Sequence, residues 1–173
     1  WLDQKFFREQ YDSEQIALSL VDDLARFDSV DEMTGFVFQK LESSLHPKSM
    51  HLWWREGSEM RLAYSSDPGL AGSPCPVTEP LLERLGSVAS APLPAETGVS
   101  RAESRWLTKR DIRLIVPLVG AERLEGVLML GEKRSEEPYS AGDESLLHAV
   151  TRGAAVIRDI LRLKGQVIDE QRV

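Results

Sequence analysis

IRLIVPLVGAERLEGVLMLGEK, residues 112–133, is the stretch from which the fold can be read. It consists of two apolar runs separated by a short polar insert. Each run is apolar at nearly every position, which predicts strands buried on both faces. Gly120, Ala121, Glu122 and Arg123 between them supply a flexible residue and two charges, as a solvent-facing hairpin turn requires. Pro117 lacks a ladder donor, so the first strand is expected to be an edge, or bulged, at that point. Gly126 at the start of the second strand allows close backbone approach. The stretch predicts a buried hairpin in a mixed domain and carries no catalytic constellation.

Downstream, Ser140 and Asp143 have capping-box spacing and open a last helix. Leu147, Val150, Ala154, Ile157, Leu161, Lys164, Ile168 and Gln171 recur in steps of three and four, a heptad seam. It continues past Arg162, farther than one domain needs. A parallel homodimer that bundles this helix with the first one is therefore expected, with Leu147, Val150, Ala154, Ile157, Leu161 and Ile168 as its contacts; burial of the same stripe inside one monomer is the alternative.

Upstream, Ser29 and Glu32 predict a helix to about residue 45, ended by His46-Pro47. Residues 48–55 read as a strand in which Met50, Leu52 and Trp54 alternate with His51, Trp53 and Arg55. A turn at Glu56-Gly57-Ser58 leads to a return strand with Met60, Leu62 and Tyr64 on one face. Residues 67–76, rich in Gly, Pro and Ser, are expected to be loop. Thr78 caps a short helix over residues 79–85, and residues 87–91 read as a strand. Residues 92–108 have no period and are expected to form a long loop or lid. Residues 1–27 read as one long helix with Ile16, Leu20, Leu24 and Phe27 as its stripe.

The 173 residues suit one domain with helical extensions, divided at residues 1–28, 29–161 and 162–173. A net charge of -7 argues against a nucleic-acid partner. The single Cys75 excludes an internal disulfide and a cysteine zinc cage. No apolar run approaches the roughly 18 residues of a membrane span. No secretory signal pattern is seen, and a cytoplasmic setting is expected. Both ends of the sequence fall inside helical patterns, which suggests a piece of a longer protein.

The hairpin with Pro117-Leu118, its polar turn and then Glu125 to Leu130 resembles the GAF domain family. Glu132-Lys133, Tyr139 and Asp143-Glu144 are similar to the charged signature of its cyclic-nucleotide-binding members, with Glu132 and Tyr139 in place of Asn and Phe. The resemblance covers roughly residues 29–161. It implies an α+β fold: an antiparallel sheet of about six strands, helices on one face and a pocket on the other, roofed by the middle of the chain. It also implies a non-catalytic bacterial sensory module that binds a small molecule of unidentified kind. The module would relay its signal through paired helices to a phosphatase or kinase domain in the same full-length chain. A purely structural relay domain without ligand is the alternative.

Trp54, Tyr64 and Trp106 offer rings for stacking on a ligand, although core packing is the plainer reading. Cys75 is a candidate lining thiol. It has no directly following His for bilin attachment and no second cysteine for reductase chemistry. Arg101, Arg105, Lys109, Arg110 and Arg113 cluster on an otherwise acidic chain. Arg113, on a strand expected to be buried, is the candidate for an anionic ligand. Lys133 and Asp143 read as a structural clamp between the last strand and the last helix. His46, His51 and His148 lack metal-ligand spacing.

Overall fold

A computed structural model describes residues 15, 18–19, 22–23, 25–87, 92–96 and 100–171, with side chains up to residue 166. Helix α1 (Val30–Leu45) opens on Ser29, whose hydroxyl accepts the Glu32 amide at 3.1 Å. It stops at His46, which turns left-handed (φ 48°) and donates its amide to Glu42 O. Strands β1 (Met50–Glu56) and β2 (Glu59–Ser65) form a hairpin around Gly57 at φ 65°. Helix α2 (Glu79–Ser87), β3 (Leu93–Pro94) and α3 (Arg101–Lys109) follow. The chain then runs through β4 (Ile112–Val119), β5 (Leu124–Gly131) and α4 (Ala141–Gln171). The fold is α+β: an antiparallel sheet in the order β2-β1-β5-β4-β3, flanked by helices on both faces. Five strands are present among the described residues, against about six expected.

Central placement explains the apolar run. β5 lies between β1 and β4, and every one of its residues is buried. Leu128 and Leu130 face α1 and α4, meeting Phe38, Leu41, Leu147 and Val150 with help from Leu52, Leu114 and Val116. Val127 and Met129 face the other way, with Trp53 and Ile115, toward Leu81, Leu82 and Leu85 of α2 and Leu107 of α3. The second face therefore carries an apolar layer roofed by two helices. Pro117 pairs with Val127 of β5, and β3 reaches only Leu114 and Ile115. At Pro117 β4 is an edge strand, which tolerates the missing donor. A Cβ on Gly126 would stand 2.6 Å from Trp53 O, so that close approach is real.

Two expectations change. The loop expected over residues 92–108 contains α3. Its signal is a capping box: Ser100 Oγ accepts the Glu103 amide at 3.2 Å, and Glu103 Oε2 accepts the Ser100 amide at 2.7 Å. Tyr64 does not share a face with Met60 and Leu62. The ladder shifts between Leu52 and Trp53, so Tyr64 lies opposite Leu52 while Leu62 lies opposite Trp53. One extra residue in a strand flips everything beyond it to the other face. The helix expected over residues 1–27 and the strand expected at 87–91 lie largely outside the described residues; Ser87 itself ends α2. Helix α4 runs unbroken through Leu161 and Arg162, as the continuing three-four spacing predicts.

Candidate functional site

A cavity of 670 Å³ lies between β2 and residues 72–82. Met60, Leu62, Cys75, Val77 and Leu82 supply apolar lining, and Glu59, Arg61 and Glu79 add polar groups. This is the size range of small-molecule sites. Burial pushes the Cys75 thiol up to about 11, against a weaker opposing hydrogen bond from the Val77 backbone. Cys75 is therefore a thiol, not a thiolate, at neutral pH.

Trp53 stands one strand in from this cavity, directly across the ladder from Leu62. It is fully buried, and its Nε1 is the one buried side-chain polar atom without a hydrogen-bond partner among the described residues. Such an orphan is uncommon, because most buried donors are paired. Trp106 of α3 meets the Trp53 ring edge-on at 6.0 Å, and the His51 ring completes a triangle with them, 6.0 Å from Trp53 and 6.4 Å from Trp106. His51 Nδ1 is 2.8 Å from Ser65 Oγ. Burial, and then the charge of Arg110, lower the His51 pKa to about 4, so the imidazole is neutral at pH 7. The Arg110 guanidinium lies 5.0 Å from the Trp106 ring centre and donates to Asp67 Oδ2 at 2.6 Å. Hydrogen bonds from Gly69 and Arg110 hold the Asp67 carboxyl below its ordinary value.

The five candidate ligand residues do not converge. Cys75 lines the cavity, and Trp106 belongs to the layer beneath α2 and α3. Trp54 points the opposite way into the α1/α4 core, where its Nε1 donates to Thr34 Oγ1 at 2.9 Å. Tyr64 lies against Phe38 of α1. Alternation along β1 separates Trp54 from Trp53, and the register shift sends Tyr64 after it. Arg113 was expected in a buried strand, yet it is exposed and paired with Asp111 at 2.9 Å. The β4 ladder is irregular between Ile112 and Leu114, so Arg113 turns outward there. Arg101, Arg105 and Lys109 are also exposed, and Arg110 is tied to Asp67. No anion cradle forms from this group.

Lys133 Nζ donates to Asp143 Oδ2 at 2.8 Å, with both side chains largely buried. Asp143 also closes the α4 capping box by accepting the Ser140 amide at 2.9 Å. Tyr139 Oη donates to Gly131 O at 2.6 Å. These residues gather where β5 hands over to α4, away from the 670 Å³ cavity. Among the described residues no group of three or more His, Cys, Asp or Glu side chains is placed to hold a metal ion.

The seam residues Leu147, Val150, Ala154 and Ile157 are buried against the domain's own sheet, and Leu161 packs on the same core. The intramolecular core absorbs the stripe that was expected to meet a partner. The side chain of Ile168 lies outside the described residues. No described helix is long and apolar enough to cross a membrane.

Sequence reasoning passed over four residues. By sequence Trp53 is only one step of an alternation, and the irregular composition around Glu103 points to a loop despite its capping spacing to Ser100. Glu125 and Arg158 form a buried ion pair at 2.7 Å, with side chains 2% and 8% exposed. Arg123 and Arg162 reach the same carboxylate at 3.2 and 3.6 Å. Arg158 also donates to Arg55 O and lies 5.1 Å from the Trp54 ring centre. A lone Glu inside an apolar strand was the available signal, since burial of such a charge demands a partner.

No family model and no curated protein sequence matches the chain. Solved structures do. The GAF domain of a phosphoenolpyruvate-protein phosphotransferase from Coxiella burnetii superposes with a TM-score of 0.67 at 15% identity, over 89% of this chain and 96% of that one. The GAF domain of a two-component sensor histidine kinase from Bacillus halodurans gives 0.61 at 19% identity, over 80% and 99%. A GAF domain/HD domain protein from Geobacter sulfurreducens gives 0.63 at 17%, over 83% and 98%. The fold of this chain is that of a GAF domain.

Proposed function

We propose that this chain is a sensory module that binds a small neutral molecule at the cavity beside β2. The unpaired Trp53 Nε1 carries this reading. It lies one strand in from the 670 Å³ cavity, in a layer of apolar side chains and a neutral His51. A ligand with one hydrogen-bond acceptor that displaces the Leu62 and Cys75 lining inward from the cavity would satisfy it. Arg61 at the cavity is paired with Glu56 and outnumbered there by Glu59 and Glu79, and the arginines and lysine of α3 and β4 point outward, so a nucleotide or other anion is the poorer fit. Occupancy would be relayed along α4, in a homodimer, to a phosphatase or kinase output domain of the full-length protein. A cytoplasmic, non-catalytic role accords with this reading, and Cys75 as a thiol offers no ready nucleophile.

Calorimetric titration against neutral heterocycles and cyclic nucleotides tests it. Binding of a neutral compound that is lost in Trp53→Phe, with the fold intact, is the expected result. Exclusive binding of anions, or no binding at millimolar concentrations, refutes the ligand reading. One observation favours the second reading, a structural relay domain without ligand: Leu81, Leu82, Leu85 and Leu107 already fill the layer under α2 and α3.

A further inference from the structure

Strand β2 ends the sheet, and among the described residues no backbone hydrogen bond joins its outer edge to another segment. Five consecutive residues, 58–62, line the 670 Å³ cavity. Side chains alternate between the two faces along a strand, so a cavity lined by consecutive residues runs along the strand's edge rather than over one face. A second cavity, of 430 Å³, lies on the opposite face against α1 and α4, with Val30, Trp54 and Leu161 among its walls. Arg61 and Leu62 belong to both cavities, which therefore meet around the free edge of β2.

The charge left over in this groove is negative. Each arginine there already has an acidic partner: Arg61 lies 3.1 Å from Glu56, Arg158 2.7 Å from Glu125, and Arg162 2.9 Å from Asp159. Glu59 and Glu79 in the first cavity, and Asp28 and Asp31 in the second, have no ion pair among the described residues. Charges on an edge strand guard it against indiscriminate pairing, and an acidic guard still admits a basic strand. We propose that the β2 edge is the docking site for an extended basic segment of a partner protein, which adds to the sheet as a strand beyond β2. Main-chain hydrogen bonds to the free edge hold such a segment, and alternate side chains entering two pockets select it. Its apolar side chains, at every second position, face Met60, Leu62 and Val77. The lysines or arginines between them face Asp28 and Asp31. This goes beyond the small-molecule reading, whose ligand sits deeper, against Trp53, while the segment stays at the mouth of the cavity.

Calorimetric titration of the full 173-residue chain with the end-capped peptide Val-Lys-Val-Lys-Val tests this, with Val-Glu-Val-Glu-Val as the control. The lysine peptide should bind and the glutamate peptide should not. Asp28→Asn with Asp31→Asn, both at exposed positions, should weaken binding about tenfold while the unfolding midpoint holds. Of two N-methylated copies, one blocked at the lysines and one at the valines, only one should lose binding, because alternate amides of an added strand point toward β2. Hydrogen exchange should slow at the β2 amides when the peptide is bound. No binding at millimolar concentration, equal binding of the two peptides, or an unchanged affinity in the double variant overturns the proposal. So does β2 protection that rises with protein concentration alone, because the edge then belongs to a second copy of the chain. Trp53→Phe separates the two readings: a small neutral ligand loses its site there, whereas the peptide keeps its affinity, and a peptide that fails on this variant overturns the edge-on mode.

Discussion

The buried pair Glu125–Arg158 should show an asymmetric response to truncation. Glu125→Leu leaves the Arg158 guanidinium, 8% exposed, with Arg55 O, the Trp54 ring and the more distant charges of Asp159 and Glu56, none of them a direct ion pair. An uncompensated buried charge costs about 3–5 kcal/mol. Arg158→Leu leaves Glu125 buried, but Arg123 and Arg162 already touch its carboxylate at 3.2 and 3.6 Å. Their side chains are 46% and 37% exposed and can move to take over. The loss should then be smaller, about 1–3 kcal/mol. Replacing both by Leu removes the two desolvation penalties together and should lie within about 1 kcal/mol of wild type. The cycle therefore predicts a large coupling of opposite sign to the single losses. Urea unfolding of the four proteins reads it, provided the slope with denaturant stays constant. A double variant as unstable as the sum of the singles would refute the reasoning. So would an Arg158 variant weaker than the Glu125 variant, because the reserve arginines would then be irrelevant.

Three further outcomes follow from other sites. The folded-state pKa of His51, lowered to about 4, lies below its unfolded value of 6.5, so its stabilising effect is full above pH 6.5 and is lost as pH falls toward 4. Wild type should lose roughly 3 kcal/mol more than His51→Asn across that window, and parallel stability curves would exclude the assignment. Gly126→Ala should destabilise by about 2 kcal/mol or more, since its Cβ meets the rigid Trp53 carbonyl at 2.6 Å; an unchanged thermal midpoint would count against the packing. Cys75 should react slowly with iodoacetamide at pH 8, and a rate matching free cysteine would contradict its burial.

Much of the fold was legible because strong local signals and tertiary demands agreed. Residues 112–133 announced a hairpin buried on both sides, and the central position of β5 is what that composition serves. Ser29, Ser140 and their acidic partners marked two helix starts correctly. The failures have physical causes. A capping box at Ser100 was outvoted by the irregular composition around it. The register shift at Leu52 depends on how two strands meet, which period-two reading of one strand cannot reveal. The heptad seam was real as a pattern but ambiguous in its target, since a sheet and a partner helix both select the same three-four spacing. Site residues were hardest: Trp53 and Trp54 are adjacent in sequence and chemically alike, and only the strand's orientation decides which one faces α2 and α3.

Glu103 gives the roof of the second layer a collective character. One of its oxygens accepts the amide and the hydroxyl of Thr78 ahead of α2, and the other accepts the amide of Ser100 ahead of α3. Burial alone would raise this carboxyl, but those hydrogen bonds outweigh it and hold it below its ordinary value. One anion thus serves the positive ends of two helix dipoles. Neither helix can fray at its start without stranding a buried carboxylate that the other still needs. The two should behave as one cooperative opening unit, with their core amides exchanging against deuterium at a common free energy. Separate exchange energies for α2 and α3 would show that the shared carboxylate does not join them.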